Sequence, residues 1–216
     1  MFLFLDSASL VEATDAIATG VISGVTTNPT LISKEPKSDF IKHCKALSEV
    51  CGGLPLSVEV FCKDPADIVD AAWKIYDDLG YSNLNIKVPI GFDELKSIKT
   101  LSDRNIPVNC TCCFTENQMK MAGDAGSRYA SLFYCRLKDY GGTPDEILAN
   151  IKYYIGDGDC QTIAGSIRTP EDARSAWDAG ADIVTTGLGT IRKMSEHEKT
   201  TESVNNFLRD FEEWVK

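Results

Sequence analysis

Short apolar runs alternate with amphipathic stretches along the whole chain. Eight runs, at residues 2–5, 22–26, 56–60, 84–88, 108–112, 129–133, 161–164 and 182–185, have strand length and are bounded by polar or turn-forming residues. The stretches between them carry helical spacing: 64–79 aligns Ile68, Ala71, Ala72 and Ile75, and 170–179 aligns Ala173, Ala176 and Trp177. Asp64-Pro65, Thr143-Pro144 and Thr169-Pro170 each set a capping side chain before a proline, a helix-start signal. Gly52-Gly53, Gly141-Gly142 and Gly156-Asp-Gly158 mark loops, and no repeat or linker interrupts the rhythm. Eight strands each followed by a helix predict an α/β fold, a closed (β/α)8 or TIM barrel, with residues 1–216 as one domain. Residues 201–216 fall beyond the eighth unit and predict an extra C-terminal helix. Its stripe of Val204, Phe207, Leu208, Phe211 and Trp214 is expected to cover either its own barrel or a neighbouring subunit.

At 216 residues the chain is long enough to bury one large core without metals or disulfides. Its net charge of −10 argues against general affinity for nucleic acid or an anionic membrane, so an anionic substrate would need a local basic pocket. No apolar run approaches the roughly 18 residues of a membrane span. The opening Met1-Phe-Leu-Phe-Leu meets a charge at Asp6, too soon for a secretory signal, so the eight cysteines are expected as thiols in a reducing, cytoplasmic setting. Cys110, Cys112 and Cys113 lack zinc-site spacing and read as small buried side chains. Strand alternation would put Cys110 and Cys112 on one face and Cys113 on the other.

Lys87 changes this picture most, because Leu84-Asn-Ile-Lys-Val-Pro89 sets an ammonium inside an otherwise buried strand. Burial favours the neutral amine of a lysine, and a neutral amine at a strand end can attack a carbonyl to form a Schiff base; the plainer reading is a lysine that snorkels to water. In a barrel of this kind the site lies at the carboxyl ends of the strands. There the sequence gathers Asp6, Asn28, Glu59, Lys87, Asn109, Thr111, Ser131, Arg136, Ser166 and Arg168, too many polar groups on consecutive strands for a solvated surface. Lys87 suits iminium formation with a ketone, and Asp6 is the first candidate to accept a hydroxyl proton as a neighbouring carbon–carbon bond breaks. Glu59 and Thr111 suit handling of the water that imine chemistry consumes and releases. Arg136, Arg168 and Ser166 suit a phosphate.

These residues, in this order, resemble the transaldolase family, specifically its short-chain branch, which also contains fructose-6-phosphate aldolase. The resemblance runs through Leu3-Phe-Leu-Asp6, Gly24-Val-Thr-Thr-Asn-Pro29, Val58-Glu-Val60, Ile86-Lys-Val-Pro89, Asn109-Cys-Thr-Cys-Cys-Phe114, Ser131-Leu-Phe133 with Arg136, and Ala164-Gly-Ser-Ile-Arg-Thr-Pro170. It implies Lys87 as Schiff-base lysine, Asp6 as acid/base, and Glu59 with Thr111 as the water-handling pair. By the same likeness Asn28, Asn109 and Ser131 hold the three-carbon fragment, and Arg136, Ser166 and Arg168 bind phosphate. It also implies no metal or organic cofactor, sugar-phosphate substrates, and a homo-oligomer, commonly a pentamer or decamer.

Aldolases of this branch resemble the family but carry glutamine at the position of Glu59 and tyrosine at that of Phe133. This chain has the transferase choice at both, so the expected reaction moves a dihydroxyacetone unit from fructose 6-phosphate or sedoheptulose 7-phosphate to erythrose 4-phosphate or glyceraldehyde 3-phosphate, as in the pentose phosphate pathway. The alternatives are an aldolase releasing free dihydroxyacetone and a non-catalytic barrel that binds sugar phosphates. The chain departs from the pattern at Leu132, Cys135 and Lys138 and in its three clustered cysteines, and none of these removes a catalytic group.

Overall fold

Eight parallel strands close on themselves in chain order, each hydrogen-bonded to the next and the last to the first. They are β1 (Phe2–Asp6), β2 (Gly24–Thr26), β3 (Leu56–Glu59), β4 (Leu84–Pro89), β5 (Val108–Cys113), β6 (Tyr129–Phe133), β7 (Gln161–Ile167) and β8 (Ile183–Thr186). Helix α1 (Leu10–Ala18) follows β1, and α2 (Pro29–Ile32) and α3 (Phe40–Cys51) follow β2. Next come α4 (Ile68–Leu79), α5 (Glu94–Asp103) and α6 (Glu116–Asp124), one after each of β3 to β5. Two helices, α7 (Tyr134–Asp139) and α8 (Pro144–Ile155), follow β6, and α9 (Pro170–Asp178) follows β7; α10 (Leu188–Met194) and α11 (Glu198–Trp214) complete the order. This is the expected (β/α)8 TIM barrel. The structure is a computed structural model that describes residues 1–155 and 160–216; the loop expected at 156–158 lies outside the described residues.

Alternation along the strands divides the interior. One face of each strand, including Leu5, Val25, Val58, Ile86, Val108 and Val184, packs outward against the helices in one apolar cluster. On the inner face Phe4, Tyr129, Ile163 and Ile183 form a separate apolar plug, with Phe4 edge-on to Tyr129 at 6.2 Å. Gly24 is required beside this plug, because a Cβ there would meet the Phe4 ring at 2.5 Å. Two residues further along several strands the inner face turns polar, with Asp6, Thr26, Glu59, Lys87, Ser131 and Thr185. The barrel is therefore closed by hydrocarbon at one end and open to polar chemistry at the other.

Helix starts follow the capping chemistry. The Asp64 side chain accepts from Ala66 N at 2.9 Å and caps a 3-10 turn, Pro65–Asp67, that runs into α4. Thr169 accepts from Asp172 N at 3.1 Å and caps α9. Thr143 differs, for its hydroxyl donates to the Glu146 carboxylate at 2.8 Å.

Three expectations are corrected. The second strand is shorter than 22–26 and keeps only Gly24–Thr26, Ile22 being buried ahead of it. Strict alternation fails in β5, where the register slips between Cys110 and Cys113 and Cys112 takes φ 63°. That bulge inserts one residue, so Cys110 and Cys113 both enter the outer core while Cys112 faces the polar end. Strand β7 runs past 161–164 to Ile167 through a matching slip, with Ser166 at φ 59°. Among the described residues no cluster of His, Cys, Asp or Glu could hold a metal, and no helix is long and apolar enough to cross a membrane.

Candidate active site

The polar end encloses a cavity of about 260 Å³, the scale of a small phosphorylated metabolite rather than a large ligand. Lys87 enters it from β4 and is 6% exposed. Its ammonium donates to the Thr27 carbonyl at 2.8 Å and lies 3.7 Å from Glu59 Oε2 on the adjoining strand. Cross-strand register sets this up: Glu59, Lys87 and Asn109 are side by side on β3, β4 and β5. A buried ammonium with one close carboxylate and one carbonyl is held but not saturated, since it has three donors.

Asp6, at the end of β1, accepts from the Thr26 hydroxyl at 2.7 Å. Burial raises its pKa above the ordinary carboxylate value, opposed by Lys87, the Thr26 hydrogen bond, Arg136 and Lys34. Burial likewise raises that of Glu59, with Lys87 opposing and Asp6 reinforcing. Two carboxyls with raised proton affinity beside one amine are suited to moving protons.

Asn28 caps α2 by accepting from Leu31 N at 3.0 Å, which leaves its amide NH2 for the cavity. Asn109 donates to Ser57 Oγ at 3.1 Å and accepts from Ser131 Oγ at 2.6 Å, so both it and Ser131 are fixed in orientation. Thr111 is the opposite case: its hydroxyl is buried in the cavity wall with no partner among the described residues. A donor–acceptor in that state is costly unless a ligand or water completes it. Ser166 reaches the cavity through its bulge. Phe133 packs edge-on against Phe114 at 5.6 Å and carries the Arg136 guanidinium 4.6 Å above its ring, which holds an exposed arginine at the mouth.

Ten of the expected residues thus line one cavity, and Arg168 does not. Its guanidinium makes two bonds to Asp139, at 2.9 and 2.6 Å, on the exposed rim, and Lys138 nearby is paired with Asp172 at 2.7 Å. Sequence reasoning gave no role to Thr26, Thr185 or Cys112, which also line the cavity. Alternation could have found Thr185, two residues beyond the inward Ile183, but Cys112 is hidden by the bulge. A larger hollow of about 550 Å³, touching Ser102, Asn105 and Arg128, contains no buried carboxylate or lysine among its described residues.

Comparison with known proteins identifies the family. A sequence profile described as Transaldolase/Fructose-6-phosphate aldolase matches residues 3–215. A probable transaldolase of Clostridioides difficile is 35% identical over 214 residues, 98% of this chain and 97% of the relative. One from Thermoplasma volcanium is 36% identical over 98% of this chain and 95% of its own length, and one from Kosmotoga olearia 36% over 100% and 98%. The solved structure of a thiamine phosphate pyrophosphorylase from Pyrococcus furiosus superposes with a TM-score of 0.64 over 89% of this chain and 90% of its own, and at 13% identity it speaks for the barrel alone. On the profile and these relatives, the chain belongs to the transaldolase/fructose-6-phosphate aldolase family.

Proposed function

We propose that the protein is a transaldolase that carries a dihydroxyacetone unit between sugar phosphates as a Schiff base on Lys87. The observation that carries this reading is the Lys87 ammonium, buried 3.7 Å from Glu59 in a cavity that also holds Asp6. Lys87 first loses a proton, for which Glu59 is the base we assign. The free amine attacks the ketone of fructose 6-phosphate or sedoheptulose 7-phosphate, and the carbinolamine loses water to give an iminium. Thr111, with its unpartnered hydroxyl, holds the departing carbinolamine hydroxyl, and Glu59 gives it the proton taken from Lys87 so that it leaves as water.

Asp6 then takes the proton of the hydroxyl on the carbon beyond the scissile bond. The bond breaks, its electron pair passes into the iminium to form an enamine, and the aldose phosphate leaves as an aldehyde. Asn28, Asn109 and Ser131 hold the hydroxyls of the three-carbon unit. Erythrose 4-phosphate or glyceraldehyde 3-phosphate then enters, Asp6 returns its proton, and hydrolysis frees Lys87. Phosphate is held by Arg136 and Ser166 at the mouth, with Arg168 exchanging Asp139 for the substrate when it joins them. Phe133 offers no acidic hydroxyl to protonate the enamine, which supports transfer over release of free dihydroxyacetone. The eight free thiols fit a reducing cytoplasm.

Borohydride reduction with fructose 6-phosphate should add one dihydroxyacetone-derived mass to a peptide containing Lys87. Glyceraldehyde 3-phosphate should form much faster with erythrose 4-phosphate present than without it. Labelling elsewhere, or unaltered activity in Lys87→Ala, would overturn the assignment; release independent of an acceptor would mark an aldolase instead.

A further inference from the structure

The Thr26 hydroxyl lies between two oxygens, 2.7 Å from Asp6 Oδ1 and 2.6 Å from Thr185 Oγ1. Thr26 and Thr185 are both buried, and Asp6, Thr26 and Thr185 come from three adjoining strands, β1, β2 and β8. A threonine hydroxyl has one proton. The Thr26 hydroxyl donates to Asp6, so Thr185 must be the donor in the second bond, and the chain runs one way, Thr185 to Thr26 to Asp6. Among the described residues no cation lies within ion-pair distance of Asp6, and no protein donor is recorded on its Oδ2. The charged groups that act on it do so from further off: Lys87 on β4, Arg136 on α7, Lys34 beyond α2, and Glu59 on β3.

We propose that Thr185 and Thr26 are positioning residues, an ordered hydroxyl chain that anchors Oδ1 of Asp6 and leaves Oδ2 as the oxygen that exchanges a proton with substrate. The inference rests on the reading of Asp6 as acid/base. A carboxylate on one single-bonded arm rotates freely unless an oxygen is tied, and a rotated carboxyl presents the wrong lone pair to the reacting hydroxyl. A lysine or arginine could tie it, but would stabilise the anion so strongly as to make it a poor base. Hydroxyls orient it at a smaller electrostatic effect, and Thr185 polarises Thr26 so that its single bond to Asp6 is a firmer one.

The test compares Thr26→Val and Thr185→Val, which keep side-chain shape, with Thr26→Ser and Thr185→Ser, which keep the hydroxyl. Transfer from fructose 6-phosphate to erythrose 4-phosphate should lose about 10- to 100-fold in kcat in Thr26→Val, as for a hydrogen bond to a charged group, and less in Thr185→Val. KM for the donor should change little. Loss of the Thr26 donor, or of the Thr185 hydroxyl that polarises it, raises the proton affinity of Asp6, so the acidic limb of the kcat–pH profile should move to higher pH in both valine variants, less in Thr185→Val, and return in the serine variants. Borohydride trapping at Lys87 should persist in all four, since imine formation does not use Asp6. Failure of trapping in the unaltered protein overturns the Schiff-base reading itself. Intact trapping with unmoved kcat and pH limb in the valine variants overturns the hydroxyl chain alone, as does a serine variant that behaves like its valine counterpart.

Discussion

Asp6 illustrates how a single side chain balances activity against stability. Its pKa is raised in the folded protein chiefly by burial, so the folded state binds its proton more tightly than the unfolded chain does. The sign of the linkage follows: Asp6 favours folding only while it is protonated, and that contribution is lost as pH rises through its folded-state pKa. Above that pH the protein bears the cost of a buried carboxylate. Asp6→Asn should therefore unfold at higher urea than the unaltered protein at neutral pH, while losing transfer activity. The difference should shrink as pH falls toward the ordinary carboxylate range, where both side chains are neutral. Lower stability of the variant at neutral pH would mean that the attraction of the Lys87 charge outweighs desolvation. The positions of Asp6, Glu59, Lys87 and Asn109 are legible in the sequence because strand alternation and the barrel rule together decide which residues point inward at the mouth. That Arg168 turns to Asp139 is not, since the side chains on that exposed rim have several partners to choose from.

Elements depart from the sequence pattern where the backbone stops repeating. Strands β5 and β7 flank β6 and carry matching slips, with Cys112 and Ser166 both in the left-handed region that favours glycine. Each bulge re-aims the end of its strand into the cavity, which is where such features concentrate. Period-two reasoning cannot see an inserted residue, and neither cysteine nor serine announces a positive φ as glycine would. Hence the cysteines Cys110 and Cys112 part company, contrary to the alternating pattern, while the eight-strand order itself is plain from the run lengths. The strain is measurable. Cys112→Gly should stabilise the protein by up to about 1 kcal/mol, and Cys112→Val should destabilise it by at least as much, because a β-branched residue resists that conformation. Urea unfolding monitored by far-UV circular dichroism would check both, and equal midpoints for the two variants would mean that the bulge relaxes at little cost.

The whole molecule carries an apolar helix face that its own barrel does not cover. Helix α11 starts at Glu198, ahead of the expected 201, with His197 as its cap, and it buries none of its residues. Phe207, Phe211 and Trp214 are 70, 61 and 80% exposed, with Phe211 and Trp214 stacked on one another. Covering the chain's own barrel, one of the two expectations for this stripe, is not what the structure describes. The stripe is legible in the sequence, but what covers it is not, because helical spacing reports that a face is apolar without naming its partner. We propose that a second copy of the chain covers it, in the pentamer or decamer that the family resemblance implies. Each aromatic ring withdrawn from water would contribute about 1.5–3 kcal/mol, set against the cost of association, so three on one face favour an interface there. Removal of residues 198–216 should give smaller assemblies by light scattering, with far-UV circular dichroism retained apart from the lost helix. The single substitution Phe211→Asp should shift the same distribution without shortening the chain, since a charge opposed to an apolar seat costs more than the lost ring. An unaltered protein that is already monomeric at micromolar concentration would overturn the assembly and leave α11 waiting for a different partner.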